Sequence, residues 1–220
     1  MISEISINFA GEQLTLNQYR SIFWDKEKSL ILSDLHLGKT AHFRKNGIAL
    51  PNGVIEKDLE NLQKVIEHYK PEQIIIVGDL FHAELNSEIE IFRKWFEDFN
   101  TIRWLLVKGN HDRFSKQFGM EETEIYETEN LIFSHEFLNP LQKPQIGGHI
   151  HPGVSLMAQN RQKLKFPCFL VSENQIILPA FSQFTGLDTN FEKKQNSTFK
   201  KYIVTEEKLI EVVCGHRLPG

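Results

Sequence analysis

The chain has 220 residues and a mass of 25.6 kDa, a length that suits one large domain over residues 1–220 better than two small ones. Its 40% hydrophobic and 25% charged residues are those of a globular protein, and a formal net charge of −4 argues against wrapping nucleic acid by bulk positive charge, though not against a local basic path. Two distant cysteines, Cys168 and Cys214, exclude a disulfide framework. The absence of a signal-like start or of roughly 18 uninterrupted apolar residues predicts a cytoplasmic protein with no membrane contact.

In chain order, Ile5-Ser6-Ile7-Asn8-Phe9 alternates at the strand period, and Ala10-Gly11 turns into a second short strand around Leu14 and Leu16. Ser29 to Ser33 is a compact apolar run of buried-strand type that ends at Asp34. Val54, Ile55, Leu59, Leu62, Val65, Ile66 and Tyr69 recur at helical spacing until Pro71 stops the helix. Ile74 to Val77 is a second buried strand and runs into Gly78-Asp79. Ser87 with Glu90 reads as a capping box for a helix carrying Ile91, Phe92, Trp95, Phe96 and Phe99. Trp104 to Val107 is a third strand, leading into Gly109-Asn110-His111-Asp112. This alternation predicts a doubly wound parallel arrangement. Leu131–Ser134, Cys168–Val171, Gln175–Leu178, Tyr202–Val204 and Leu209–Val213 follow without helices between them, which predicts a second, mainly antiparallel sheet packed on the first. Asn190 to Lys201, rich in Lys, Asn and Gln, reads as a mobile surface loop.

In open α/β sheets, ligands bind beyond the carboxyl ends of the strands. Three such ends carry Asp34-Leu35-His36, Gly78-Asp79 and Gly109-Asn110-His111-Asp112; two later ones carry His135 and Gly148-His149-Ile150-His151. All offer oxygen or imidazole ligands and none a thiolate, a mixture suited to Mn²⁺, Fe²⁺ or Zn²⁺. Seven candidate ligands, Asp34, His36, Asp79, Asn110, His135, His149 and His151, are too many for one ion that must leave room for substrate, and they fit two ions sharing a carboxylate. In extended backbone, residues i and i+2 point the same way, which would turn both members of Asp34-x-His36 and of His149-x-His151 into one pocket. His42 and His82 lie beside these motifs and are candidates to line that pocket, whereas His68 and His216 read as incidental.

These elements, in this order, resemble the calcineurin-like metallophosphoesterase superfamily: D-x-H, G-D, G-N-H-D, a lone H, then G-H-x-H, spanning Asp34 to His151. The resemblance implies an α/β (in some schemes α+β) fold, a two-sheet β-sandwich flanked by helices in four αββα layers. It also implies a division of ligands, with Asp34, His36 and His151 on the first ion, Asp79 bridging, and Asn110, His135 and His149 on the second. His111 would be the catalytic histidine and Asp112 its orienting partner. A narrower similarity covers nearly the whole chain: Ser33-Asp34-Leu35-His36-Leu37-Gly38-Lys39, His42-Phe43-Arg44, Gly47-Ile48, Leu178-Pro179-Ala180-Phe181 and Phe184-Thr185-Gly186 are similar to the bacterial ligase-associated DNA damage response endonucleases. Ser182 stands where that pattern has glycine. Association with DNA ligase and helicase repair proteins is implied by that resemblance alone.

The implied reaction is in-line hydrolysis of a phosphodiester by a metal-activated hydroxide, with two divalent ions, Mn²⁺ first and Fe²⁺ or Zn²⁺ as alternatives. His111 would protonate the leaving oxygen. Arg44 and Arg113, close to the motifs, are candidate contacts to a DNA backbone; Lys39 and Lys45, and a second cluster at Arg161, Lys163 and Lys165, are further cations of the same kind. A hydrolase of a small-molecule nucleotide or other organic phosphate is the alternative. A non-enzymatic scaffold should have lost ligands, and none is missing.

Overall fold

A computed structural model describes residues 1–45, 47, 53–82, 86–110, 112, 115–139, 142–158, 161–191 and 198–212, the side chains of residues 41, 42, 45 and 115 excepted. Among the described residues fifteen strands form two sheets. In the first, β1 (Glu4–Phe9), β2 (Glu12–Asn17), β3 (Ile22–Trp24), β4 (Ser29–Leu32), β5 (Gln73–Val77), β6 (Arg103–Val107) and β7 (Glu121–Thr123) lie side by side in chain order. Pairing is antiparallel from β1 to β4 and parallel from β4 to β7. The second contains β8 (Tyr126–Glu127), β9 (Ile132–Phe133), β10 (Gln145–Gly147), β11 (Gly153–Met157), β12 (Lys163–Val171), β13 (Gln175–Ile177), β14 (Lys200–Val204) and β15 (Leu209–Val212). Its order is β15-β14-β12-β13-β10-β9-β8, with β11 paired to β12. It too is mixed, because β10 runs parallel to both β9 and β13.

The central strands read as unbroken apolar runs because both of their faces are covered. Ile31, Ile75, Val77, Leu105 and Val107 point into the space between the sheets, against Phe133, Ile146, Phe169 and Ile176. The alternate residues Leu30, Leu32, Ile74, Ile76 and Leu106 point outward against α2 (Val54–Tyr69) and α3 (Ser87–Glu97). A short α1 (Lys39–Lys45) precedes them. Both long helices thus share one face, and the expectation of a doubly wound sheet is corrected. The order β4-β5-β6 never reverses, so successive crossovers of the same hand land on the same side. The second sheet takes the place that an opposite helix layer would occupy. Its own outer face, with Cys168, Leu170 and Ile177, is covered by Phe137, Ile150, Val154, Phe191 and Phe199.

Helix ends fix the loops that carry the chemistry. Helix α2 closes on Lys70, left-handed at φ 50°, whose N–H donates to Ile66 O just before Pro71. Asn86, not Ser87, is the cap of α3: its side-chain oxygen accepts from Glu88 N, while its Nδ2 donates to Gly38 O. The cap therefore also binds the turn that follows His36. Fully buried Phe92 docks α3 against Phe81, two residues beyond Asp79, with ring centroids 6.1 Å apart. A Phe-to-Ala change at such a position typically costs about 3–5 kcal/mol. Asn190 to Lys201 lies partly outside the described residues, and its last two members belong to β14. Cys168 is buried, whereas Cys214 and His216 lie outside the described residues. Among the described residues no helix is long and apolar enough to cross a membrane.

Candidate metal centre

The carboxyl ends of β4, β5, β9 and β10 open on a common point where the two sheets meet. Beyond β4 and β5 the chains keep a parallel ladder: Asp34 N donates to Gly78 O at 3.0 Å, His36 N to Asp79 O at 2.9 Å and Leu37 N to Leu80 O at 2.8 Å. From the second sheet, His149 N donates to Asp34 Oδ2 at 3.1 Å, so this carboxylate is held across the junction.

Asp34, His36, Asp79, His149 and His151 all adopt left-handed backbone, with φ between 49° and 67°. They are five of the ten non-glycine residues of this kind among those described. Such conformations cost on the order of 1 kcal/mol each for residues with a Cβ, and their concentration at one place marks a functional site. This corrects the reason for the D-x-H and H-x-H spacings. The two members of each pair share a pocket, but through consecutive left-handed turns rather than extended backbone. Glycine is needed where these turns crowd together. A Cβ on Gly78, at φ 81°, would lie 2.0 Å from His135 Nδ1, and one on Gly109 would lie 2.3 Å from Asp79 Oδ1.

Two overlapping groups have ligand atoms within 4.8 Å of one another: Asp34, His36 and His151, and Asp34, Asp79 and His135. Nε2 of His36 and Nε2 of His151 approach to 3.1 Å, and His151 Nε2 lies 3.2 Å from Asp34 Oδ1. Asp79, in the second group, places its Oδ2 3.5 Å from His135 Nε2 and 4.0 Å from His36 Nδ1. The donor set fits divalent cations. Asp34 and Asp79 are buried carboxylates, and Asp34 Oδ1 and His36 Nδ1 are buried without a hydrogen bond. Buried charge of one sign calls for a counter-ion. Nδ1 of His135 lies 3.1 Å from Val77 O and donates to it, which turns Nε2 toward Asp79. That arrangement, a carbonyl fixing the far nitrogen, is typical of metal-binding histidines.

Charge is unevenly distributed across the site. Burial, followed by the Lys39 charge, pushes the His36 imidazole down to about 3 despite Asp34. For His135 burial pulls in the same direction but is outweighed by the bond to Asp79 and the charges of Asp34 and Asp79, and the group rises to about 9. Lys39 is itself lowered by burial, against the pull of Asp34 and Asp79.

The other expected residues are placed as follows. His149 is partly exposed; its Nδ1 lies 3.3 Å from His135 Nε2 and its Nε2 3.8 Å from Glu136 Oε1. Asn110 is exposed at the rim, with its amide donating to Glu136 Oε1 at 2.8 Å. His82 packs edge-on against His36, with centroids 5.5 Å apart. Arg44 lies 3.8 Å from buried Glu88, which also bonds Thr40. Asp112 accepts from Phe81 N and Gly109 N, one with each oxygen, and burial raises its pKa. Oδ2 thereby closes the loop after β6 on itself, and Oδ1 ties it to the loop after β5. His111, Arg113 and the side chain of His42 lie outside the described residues. Glu136, next in sequence to His135, contacts both Asn110 and His149 and was not anticipated, because a lone acid after a lone histidine forms no recognisable spacing.

Residues 28–220 match the family model described as calcineurin-like phosphoesterase. No curated protein matches the sequence significantly. Among solved structures, the chain is similar to the Pseudomonas putida nuclease MPE, with 26% identity, a TM-score of 0.78, and coverage of 95% of this chain and 100% of that one. A protein of unknown function from Aquifex aeolicus, AQ665, shares 20% identity over 56% of this chain and 78% of its own, with a TM-score of 0.38. The phosphoesterase Yfce from E. coli shares 13% over 81% and 88%, with a TM-score of 0.41.

Proposed function

Because the chain belongs to the calcineurin-like phosphoesterase family, we propose that it is a two-metal phosphodiesterase whose substrate is DNA. The observation that carries the metal-dependent part is the pair of overlapping carboxylate–imidazole groups that share Asp34 and stand on left-handed turns. The DNA part is supported by the near full-length likeness to a protein named a nuclease, and by the similarity of the segments around Ser33–Arg44 and Leu178–Gly186 to the ligase-associated endonucleases. Residues 1–220 act as one domain on this reading, since β1 to β3, ahead of the matched region, extend the same sheet. Association with ligase and helicase repair proteins would follow from the same similarity.

Asp34, His36 and His151 would hold one ion, and Asp79 would be shared with a second held by His135, His149 and Asn110. Divalent ions there, Mn²⁺ foremost, would supply Lewis acidity toward the phosphate oxygens and lower the pKa of a coordinated water. The protein's own groups do the rest. The Val77 carbonyl keeps His135 in one tautomer, and Gly148 leaves room for the Asp34 carboxylate, which a Cβ would meet at 2.6 Å. His111 donates a proton to the departing oxygen, as the leaving group needs when its conjugate acid is weak. Asp112 acts as a positioning residue, holding the loop of Gly109 and Asn110 against Phe81. Arg44, Arg113, His42 and His82, close in sequence to the ligand motifs, would reach the substrate.

The test is a panel of the purified protein with Mn²⁺ on bis-p-nitrophenyl phosphate, p-nitrophenyl phosphate, and single- and double-stranded DNA, with metal content measured alongside. Diester hydrolysis and DNA cleavage that require the metal are expected. Faster monoester hydrolysis with no cleavage of any DNA would instead assign a small organic phosphate as substrate.

A further inference from the structure

A groove of about 930 Å³ runs beside α2 and is lined by residues from five separate segments. Helix α2 contributes Lys57 and Lys64, β12 contributes Lys165 and Phe166, the turn between β14 and β15 contributes Lys208, and the turn between β2 and β3 contributes Tyr19. All four lysines are exposed and both rings half-buried. Glu206 and Glu207 also line it, so positive charge predominates locally on a protein of net charge −4. Arg20, also in the lining, is committed elsewhere: its guanidinium donates to Ala180 O and Ser182 O. The lysines are only weakly engaged. Lys57 lies 3.7 Å from exposed Glu60, and Lys64 lies over the Tyr19 ring at 5.9 Å.

Two of the segments that line the groove are tied to the ligand loops. In one case, Phe181 and Gln183 belong to its lining, and their segment is bonded to the first ligand loop: Phe181 N donates to Ser33 O at 2.8 Å and Ser182 N to Asp34 O at 3.3 Å. In the other, β11 starts two residues after His151 and pairs Val154 with Phe166 and Gly153 with Pro167. Lys57 and Lys64 are two helical turns apart along α2, a span of roughly 10 Å, over which one strand of B-form DNA presents about three phosphates. A second groove, of about 850 Å³, is lined by residues of β1, β12, β14 and β15. It offers a single cation, Lys200, against Glu173 and Glu211, and lacks this character.

We propose that the groove along α2 is the track for the nucleic-acid strand flanking the scissile phosphate, with Lys57, Lys64, Lys165 and Lys208 against the backbone and Tyr19 and Phe166 stacking on bases. This assignment rests on the DNA phosphodiesterase reading above. It is tested on metal-free protein in EDTA, by the anisotropy of a labelled single-stranded oligonucleotide across a salt series. Replacing all four lysines by Gln should lower the log–log salt slope by about 3, because each contact to a single strand contributes about 0.7. The pairs Lys57→Gln/Lys64→Gln and Lys165→Gln/Lys208→Gln should each lower it by about 1.4, so an unstable quadruple variant leaves the test intact. With Mn²⁺ restored, the ratio of kcat/KM on the long oligonucleotide to that on a dinucleotide should fall at least tenfold. Wild-type slopes retained in both pairs, or equally tight binding of poly-glutamate by the wild type, would overturn the groove assignment. Wild-type protein that hydrolyses a small diester but neither binds nor cleaves any DNA would overturn the DNA reading itself.

Discussion

Replacing Asp58 by Asn should stabilise this protein at neutral pH and do nothing in acid. Asp58 is a buried residue of α2, 3% exposed, whose Oδ1 accepts from Gln183 N at 3.1 Å. Burial raises its carboxyl from an ordinary 3.8 to about 6, although Ser182, Gln183 and Arg20 all favour the charged form. The folded state therefore binds the proton more tightly than the unfolded chain. Stability is greatest below pH ~4, where both states are protonated. It falls as pH rises from ~4 to ~6, and the loss persists above. The displacement corresponds to ~3 kcal/mol at about 1.36 kcal/mol per pH unit. Asparagine keeps an oxygen for Gln183 N and has no charge to bury, so Asp58→Asn should gain up to that amount at pH 7.5. For a chain of this length that corresponds to an increase in Tm of several degrees, at roughly 2–4 °C per kcal/mol. Urea titrations of both proteins at pH 4, 5, 6 and 7.5 isolate the effect, because other titrating groups cancel in the difference. Equal stability at pH 7.5, or a less stable variant, would mean that Asp58 and Arg20 gain more from their mutual attraction than burial takes away, and the reasoning would fail.

Asp79→Asn should reduce metal content by ICP-MS and diester hydrolysis together while leaving the fold intact by circular dichroism; normal metal and turnover would remove Asp79 from the centre. Gly78→Ala places a methyl in the space of the His135 ring on a left-handed residue, and should lower both Tm and metal occupancy; calorimetry with and without Mn²⁺ checks both. His111→Ala should keep its metal and lose about 10²–10⁴-fold in turnover. That loss should shrink for diesters with more acidic leaving groups, and a uniform loss across leaving groups would count against proton donation.

Sequence reading succeeded where one residue pattern admits one environment. The apolar runs of β4, β5 and β6 could only be strands covered on both faces, and helix α2 ran from Val54 to Tyr69 as its spacing indicated. It failed where the deciding contact lies elsewhere in the chain. Strand β3 has three residues and β8 two, too few for any periodicity. The side on which α3 packs depends on strand order, which no local pattern records. Ser87 with Glu90 matched a capping box, yet Asn86 won because its amide also reaches Gly38. The candidate ligands were legible as chemistry but not as conformation. Asp and His enter left-handed backbone more readily than most residues but do not require it, and the clash that a Cβ would suffer at Gly78 and Gly109 shows how tightly those turns are packed.

The junction between the sheets has a consequence for the protein as a mechanical object. Asp34, His36 and Asp79 belong to one sheet, and His135, His149 and His151 to the other, so ions held by both sets would pin the two layers at one end, as a clasp closes a book. The edge strands β1 and β15 carry none of these ligands. Chelation should then free the clasped end first: amide exchange should quicken around Ser33–His36 and Gly147–His151, while the β1–β2 hairpin keeps its protection. The loaded protein would resist proteolysis along that seam, and a chelated preparation would be cut there long before either sheet came apart.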